Sequence, residues 1–103
     1  MTRYTTPTFT LTLPNDVDLT EATNVYATFS QPPVTLTKTG EALEITAHQI
    51  DVYLSQAETS SFASGVVEIQ VNWTQNVSGE VRRACTEIAR VNVGKNLLDE
   101  VVE

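Results

Sequence analysis

The chain has 103 residues, 41% of them hydrophobic, and its 13 acidic side chains against 6 basic ones leave a net charge of -7. That length builds one domain, which buries roughly two-thirds of its unfolded surface without metal or disulfide staples. The negative charge repels phosphate backbones and argues against nucleic-acid binding, and the single cysteine, Cys85, excludes an internal disulfide.

No apolar run reaches the roughly 20 residues of a membrane-spanning helix, so no membrane partner is expected. Met1-Thr-Arg-Tyr4 leads into Thr5-Thr-Pro7 without an apolar segment, so no secretory signal is expected either. The expected location is the cytoplasm, or a larger assembly built there.

In chain order, Thr8–Leu13 reads as a first strand, with Phe9, Leu11 and Leu13 facing in and threonines facing out. Pro14-Asn-Asp16 breaks it, and Asp16–Thr20 is an ordered loop in which Val17 or Leu19 dips into the core. Asn24–Ser30 is a second strand with Val25, Ala27 and Phe29 inward, stopped by Gln31-Pro-Pro33. Val34–Lys38 and Leu43–Ala47 flank Thr39-Gly40-Glu41, which predicts a hairpin between them. After Ala47 the apolar parity changes from odd (Leu43, Ile45, Ala47) to even (Ile50, Val52, Leu54), predicting a bulge or bend near His48-Gln49.

Ser55-Gln-Ala-Glu58 has the spacing of a capping box and predicts a short crossover helix ending before Phe62 and Gly65. Gly65–Gln75 carries the strongest pattern in the chain. Val67, Ile69, Val71 and the only tryptophan, Trp73, alternate with Glu68, Gln70, Asn72 and Thr74, as in a strand with one face on a core. Asn76-Val-Ser-Gly79 turns the chain into a long last strand, Val81–Val93, in which Ile88 has the opposite parity from Val91 and Val93. Six or seven short strands and one helical crossover predict an all-β, immunoglobulin-like antiparallel sandwich, with a small β-barrel as the alternative. The single domain spans 1–103, with 95–103 as a C-terminal tail.

Residues with catalytic or ligating chemistry are sparse. His48 is the only histidine and Cys85 the only thiol, too few for a transition-metal site and, unless the fold joins them, for nucleophilic catalysis. Asn15-Asp-Val-Asp18 alternates oxygen ligands without the spacing of an EF-hand loop, and such loop residues more often satisfy their own backbone. No catalytic, cofactor or metal site is assigned. Arg82, Arg83, Arg90 and Lys95 form the one basic concentration, read as cross-strand partners for acidic neighbours or as half of a self-association surface.

Asp18-Leu-Thr20, Asn24–Phe29, Ile50–Thr59 with Phe62, and Gly65–Val71 occur in that order. Together they resemble small prophage-encoded proteins of gut Firmicutes and, more distantly, the N-terminal domain of phage baseplate upper proteins. The resemblance covers roughly residues 8 to 93. It implies an immunoglobulin-like sandwich serving as a non-enzymatic virion, tail or baseplate-type component that acts through protein–protein surfaces. Its partners would be other phage structural proteins or the chain itself. The chain departs from the baseplate protein in stopping at Glu103, without the long C-terminal region that carries partner-binding parts.

The expected surface is the tail stripe Leu97, Leu98, Val101 and Val102, four apolar residues that pair at i,i+4 in a helix. The other reading of that stripe is that it folds back on its own sandwich. The alternative function is a carbohydrate- or receptor-binding sandwich using exposed tyrosines (Tyr4, Tyr26, Tyr53) or the Asn15–Asp18 loop.

Overall fold

A computed structural model describes residues 1–14 and 17–98, and in it two antiparallel sheets pack face to face as a β-sandwich. The three-stranded sheet holds β1 (Thr8–Thr12), β5 (Gln49–Tyr53) and β4 (Leu43–Ile45), in that order. The larger sheet runs β3 (Val34–Thr39), β2 (Ala22–Gln31), β6 (Gly65–Val77) and β7 (Glu80–Cys85), with β8 (Ala89–Val93) also paired to β6. β2 therefore lies between β3 and β6; in the constant-type immunoglobulin order the second strand would sit beside the first and fifth.

The alternating apolar positions build the core directly. Val25, Ala27 and Phe29 of β2 oppose Trp73, Val71 and Ile69 of β6, and all six are buried. Ile50 and Val52 face them from β5, with Leu54 and Phe62 sealing the layer. On β1, Phe9 and Leu11 are half-buried, and the Phe9 ring meets Phe29 across the sheets at 5.6 Å. Burying a side chain of this size contributes about 1.5–3 kcal/mol.

One predicted connection forms differently. Val34–Thr39 and Leu43–Ile45 do not make a hairpin with each other. β3 pairs with β2 across Pro32-Pro33, and a 3-10 turn at Gly40–Ala42 carries the chain into the other sheet, where β4 pairs with β5. The parity change at His48 is the expected bend between two strands rather than a bulge. Ile45 opposes Ile50 and Thr46 N–H donates to the Gln49 carbonyl at 2.9 Å, so Ala47-His48 is the loop of a tight hairpin. A two-residue loop reverses the chain while keeping paired residues on one face, which swaps odd for even.

The capping box forms as the spacing predicts, around a single-turn helix, α1 (Gln56–Ser60). Glu58 N–H donates to Ser55 Oγ at 3.2 Å, and Ser55 N–H donates to Glu58 Oε1 at 2.9 Å. Lys38 on β3 then grips both oxygens of Glu58, at 2.8 and 2.7 Å, tying the crossover to the sheet edge. Burial alone would push the Glu58 carboxyl up. The Lys38 hydrogen bond, the Ser55 N–H and the Lys38 charge outweigh it and hold the carboxyl below its ordinary value.

The N-terminal residues staple one end of the seam between sheets. Arg3 N–H donates to the Gly94 carbonyl at 3.0 Å, and Gly94 N–H donates to the Met1 carbonyl at 2.6 Å. The Arg3 guanidinium donates to the carbonyls of Phe62 (2.6 Å) and Ser60 (2.9 Å), placing a cation where α1 ends.

Candidate interaction surface

The last long strand is one edge interrupted once. β7 opposes β6 from Asn72–Cys85 to Val77–Glu80, and β8 opposes it from Gly65–Val93 to Ile69–Ala89. Between the two ladders Gln70 and Val71 face Thr86, Glu87 and Ile88, one residue more on the edge side than on β6. Thr86 holds the interruption together: its N–H donates to the Val71 carbonyl at 2.9 Å, and its Oγ1 accepts from Val71 N–H at 3.1 Å. This extra residue changes the inward parity from even in β7 to odd in β8, and Ile88, next to inward Ala89, lies exposed on the outer face with Glu68 and Gln70.

The interruption opens a cleft of about 530 Å³ on the unstapled part of the seam, between Leu11–Pro14 and Val17 on one side and Ile69–Val71 with Cys85–Glu87 on the other. Its walls are mostly apolar, and they converge on no cluster of ionisable groups. Among the described residues, no group of three or more His, Cys, Asp or Glu could hold a metal ion.

Beyond the interruption, β7 overhangs the sandwich. All six of its residues are exposed, although Arg82 and Ala84 oppose Gln75 and Trp73 and so continue the core-facing side. No strand of the three-stranded sheet pairs with this edge, and no residue of β7 is buried. Val81 is 74% exposed and lies between Glu80 and Arg82. The turn that projects the overhang is Ser78-Gly79, with φ of 53° and 84°, a two-residue loop in the left-handed region that glycine tolerates best. With this overhang the radius of gyration is 14.9 Å, against about 13 Å for a compact chain of this length.

The basic residues divide among different partners. Arg90 pairs with Glu68 across the ladder at 3.2 Å, and Arg82 pairs with Glu80 on its own strand at 3.2 Å. Arg83 donates to the side-chain oxygen of Asn72, at 3.2 Å from Nη2. Exposed pairs of this kind stabilise little by themselves.

Of the tail stripe, Leu97 is 91% and Leu98 54% exposed, so neither folds back onto the sandwich. Leu98 N–H donates to the Asn96 side chain, which in turn donates to the Arg3 carbonyl. Val101 and Val102 lie outside the described residues.

The remaining sequence candidates are dispersed. His48 Nδ1 lies 2.5 Å from the Val17 carbonyl, while Cys85 is exposed on β7, and no hydrogen bond joins the two. Tyr26 and Tyr53 are exposed on the outer faces of opposite sheets, and Tyr4 stacks under Arg3, so the three form no common platform. Asp18 accepts from the N–H and hydroxyl of Thr20, at 2.9 and 2.7 Å, capping the 3-10 turn Leu19–Glu21. Those bonds hold its carboxyl below the ordinary value. Asn15 and Asp16 lie outside the described residues. Sequence reasoning passed over Val81 and Glu80; the available signal was an arginine, Arg82, at a core-parity position of a strand.

Compared with protein-family models, curated proteins and solved structures, the chain matches none of them.

Proposed function

We infer that this protein is a non-enzymatic assembly module of the phage or prophage virion kind, working through its sheet edge and apolar surface residues. The observation that carries this reading is the overhang. A strand with every residue exposed, an open edge and a bare valine costs stability in isolation and gains it against a partner. Exposed Leu97 and Leu98 add a second apolar patch. The tail, baseplate or capsid setting rests on the resemblance of residues 8 to 93 to prophage and baseplate proteins. His48 is spent on the Val17 carbonyl and Asp18 on Thr20, while Cys85 and Glu87 line the cleft beside Thr86 with no histidine among its walls. The carbohydrate-binding alternative loses its tyrosine platform to the sheet geometry.

The test is incorporation. Particles induced from a lysogen that encodes the chain should contain it at a fixed stoichiometry after density-gradient purification, read by quantitative mass spectrometry. Its absence from intact particles would overturn the virion reading.

A further inference from the structure

We propose that β7 pairs edge to edge with β7 of a second copy, antiparallel about a twofold axis through Val81, placing Glu80 of each chain opposite Arg82 of the other. This rests on the assembly reading above and names its partner.

The backbone sets which registers are available. Val77 and Glu80 close a two-residue loop, and Thr86 N–H donates to the Val71 carbonyl. Even-numbered positions of β7 therefore turn their N–H and C=O toward β6, and Val81, Arg83 and Cys85 turn theirs outward. That outward row has no partner strand among the described residues. When two such edges meet antiparallel, outward residues must face outward residues, which leaves four registers about a twofold that pair at least three residues of each strand, centred on Val81, Arg82, Arg83 and Ala84.

Charge decides among the four. Centring on Arg82 sets Arg82 against Arg82, and centring on Arg83 sets Arg83 against Arg83. Like charges directly opposite destabilise a sheet. Centring on Val81 sets Val81 against Val81 and two Glu80 carboxylates against two Arg82 guanidiniums. Arg83 then faces Gly79, which offers no charge and no side chain. Centring on Ala84 sets Ala84 against Ala84 and Arg83 against Cys85 and opposes no charges, so the Val81 register alone places opposite charges face to face. The segment is also the part of an acidic chain where two arginines stand together beside one acid, so two copies meet there with the least mutual repulsion.

The competing role for the same charges is to blunt the edge against any pairing. Sedimentation velocity from micromolar to millimolar chain separates the two. The native chain should self-associate. Arg82→Glu and Glu80→Arg should each weaken association at least about tenfold, because each creates two like-charged facings. The double variant Glu80→Arg/Arg82→Glu, which swaps the charges, should recover it. Both positions are exposed, and an unchanged melting curve and Trp73 fluorescence would show that each variant folds. A native chain that stays monomeric throughout, or a double variant as weak as the single ones, overturns the proposal. Incorporation of a strictly monomeric chain into particles would overturn the pairing and leave the virion reading intact. Pairing in solution with no incorporation would do the opposite.

Discussion

Strand β6 does two different jobs along its length. From Val67 to Trp73 its inward residues are buried between β2 and the second sheet, and the strand behaves as the spine of a core. From Thr74 onward the same ladder continues with β7, but the inward-parity residues become Gln75 and, opposite it, Arg82. The ladder to β7 runs unbroken past Trp73, while the ladder to β2 shifts register between Asn24 and Ala22, opposite Thr74 and Gln75, and among the described residues nothing further covers the face. Backbone pairing can outlast a core by several residues. When it does, the strand pair becomes an exposed edge whose side chains answer to solvent or to a partner, and no longer to packing.

This contrast sets the scale of what substitutions should do. The largest effect belongs at the boundary: Trp73→Ala should destabilise the fold by about 3–5 kcal/mol in chemical denaturation, since the ring is 4% exposed. A loss under about 1 kcal/mol would place the ring outside the core and erase the division. Trp73→Phe should cost far less, because the indole Nε1–H is buried without a hydrogen-bond partner among the described residues and its removal leaves nothing unsatisfied.

Next comes the clamp on α1. Lys38→Ala should cost about 1–2 kcal/mol by leaving a half-buried carboxylate without its cation. The same clamp gives a pH dependence. The Glu58 carboxyl is held low in the folded chain, so its contribution is complete above the unfolded value near 4.5 and fades as pH falls through the folded value. Melting temperature should therefore drop on acidification below about pH 4.5, and Glu58→Gln should flatten part of that drop.

On the overhang the effects shrink. Gly79→Ala should cost about 1 kcal/mol, because alanine resists a φ of 84°, and the change should stay local to the turn. Val81→Ser should alter monomer stability by less than about 0.5 kcal/mol. A large loss at Val81 would mean that the valine packs within its own chain.

The difference between the two regions also governs how much was legible in the sequence. Alternation named the core side of β2, β5 and β6 correctly, because a one-residue slip would have exposed every apolar residue on the strand. Ser55 and Glu58 announced α1 by spacing alone. Alternation does not name a strand's partner, however, so the glycine at position 40 suggested a hairpin where the chain crosses between sheets. The shift at His48 marked a reversal, whereas the misfit of Ile88 marked an outward-facing side chain. The inserted residue is visible only in the pairing of β6 with β7 and β8. The exposed tail leucines were flagged as a surface. The β7 edge was not, because its signal is a lack of hydrophobic residues on an inward face, and such a lack reads as an ordinary wet strand.

The most direct measurement is amide hydrogen exchange on β7 as a function of chain concentration. Arg82 and Ala84 turn their N–H groups toward β6 and should be protected at every concentration. Val81 and Arg83 turn theirs outward and should exchange freely in dilute solution, becoming protected as the chain is concentrated. Outward amides that exchange at the same rate at all concentrations would contradict an edge built to be paired.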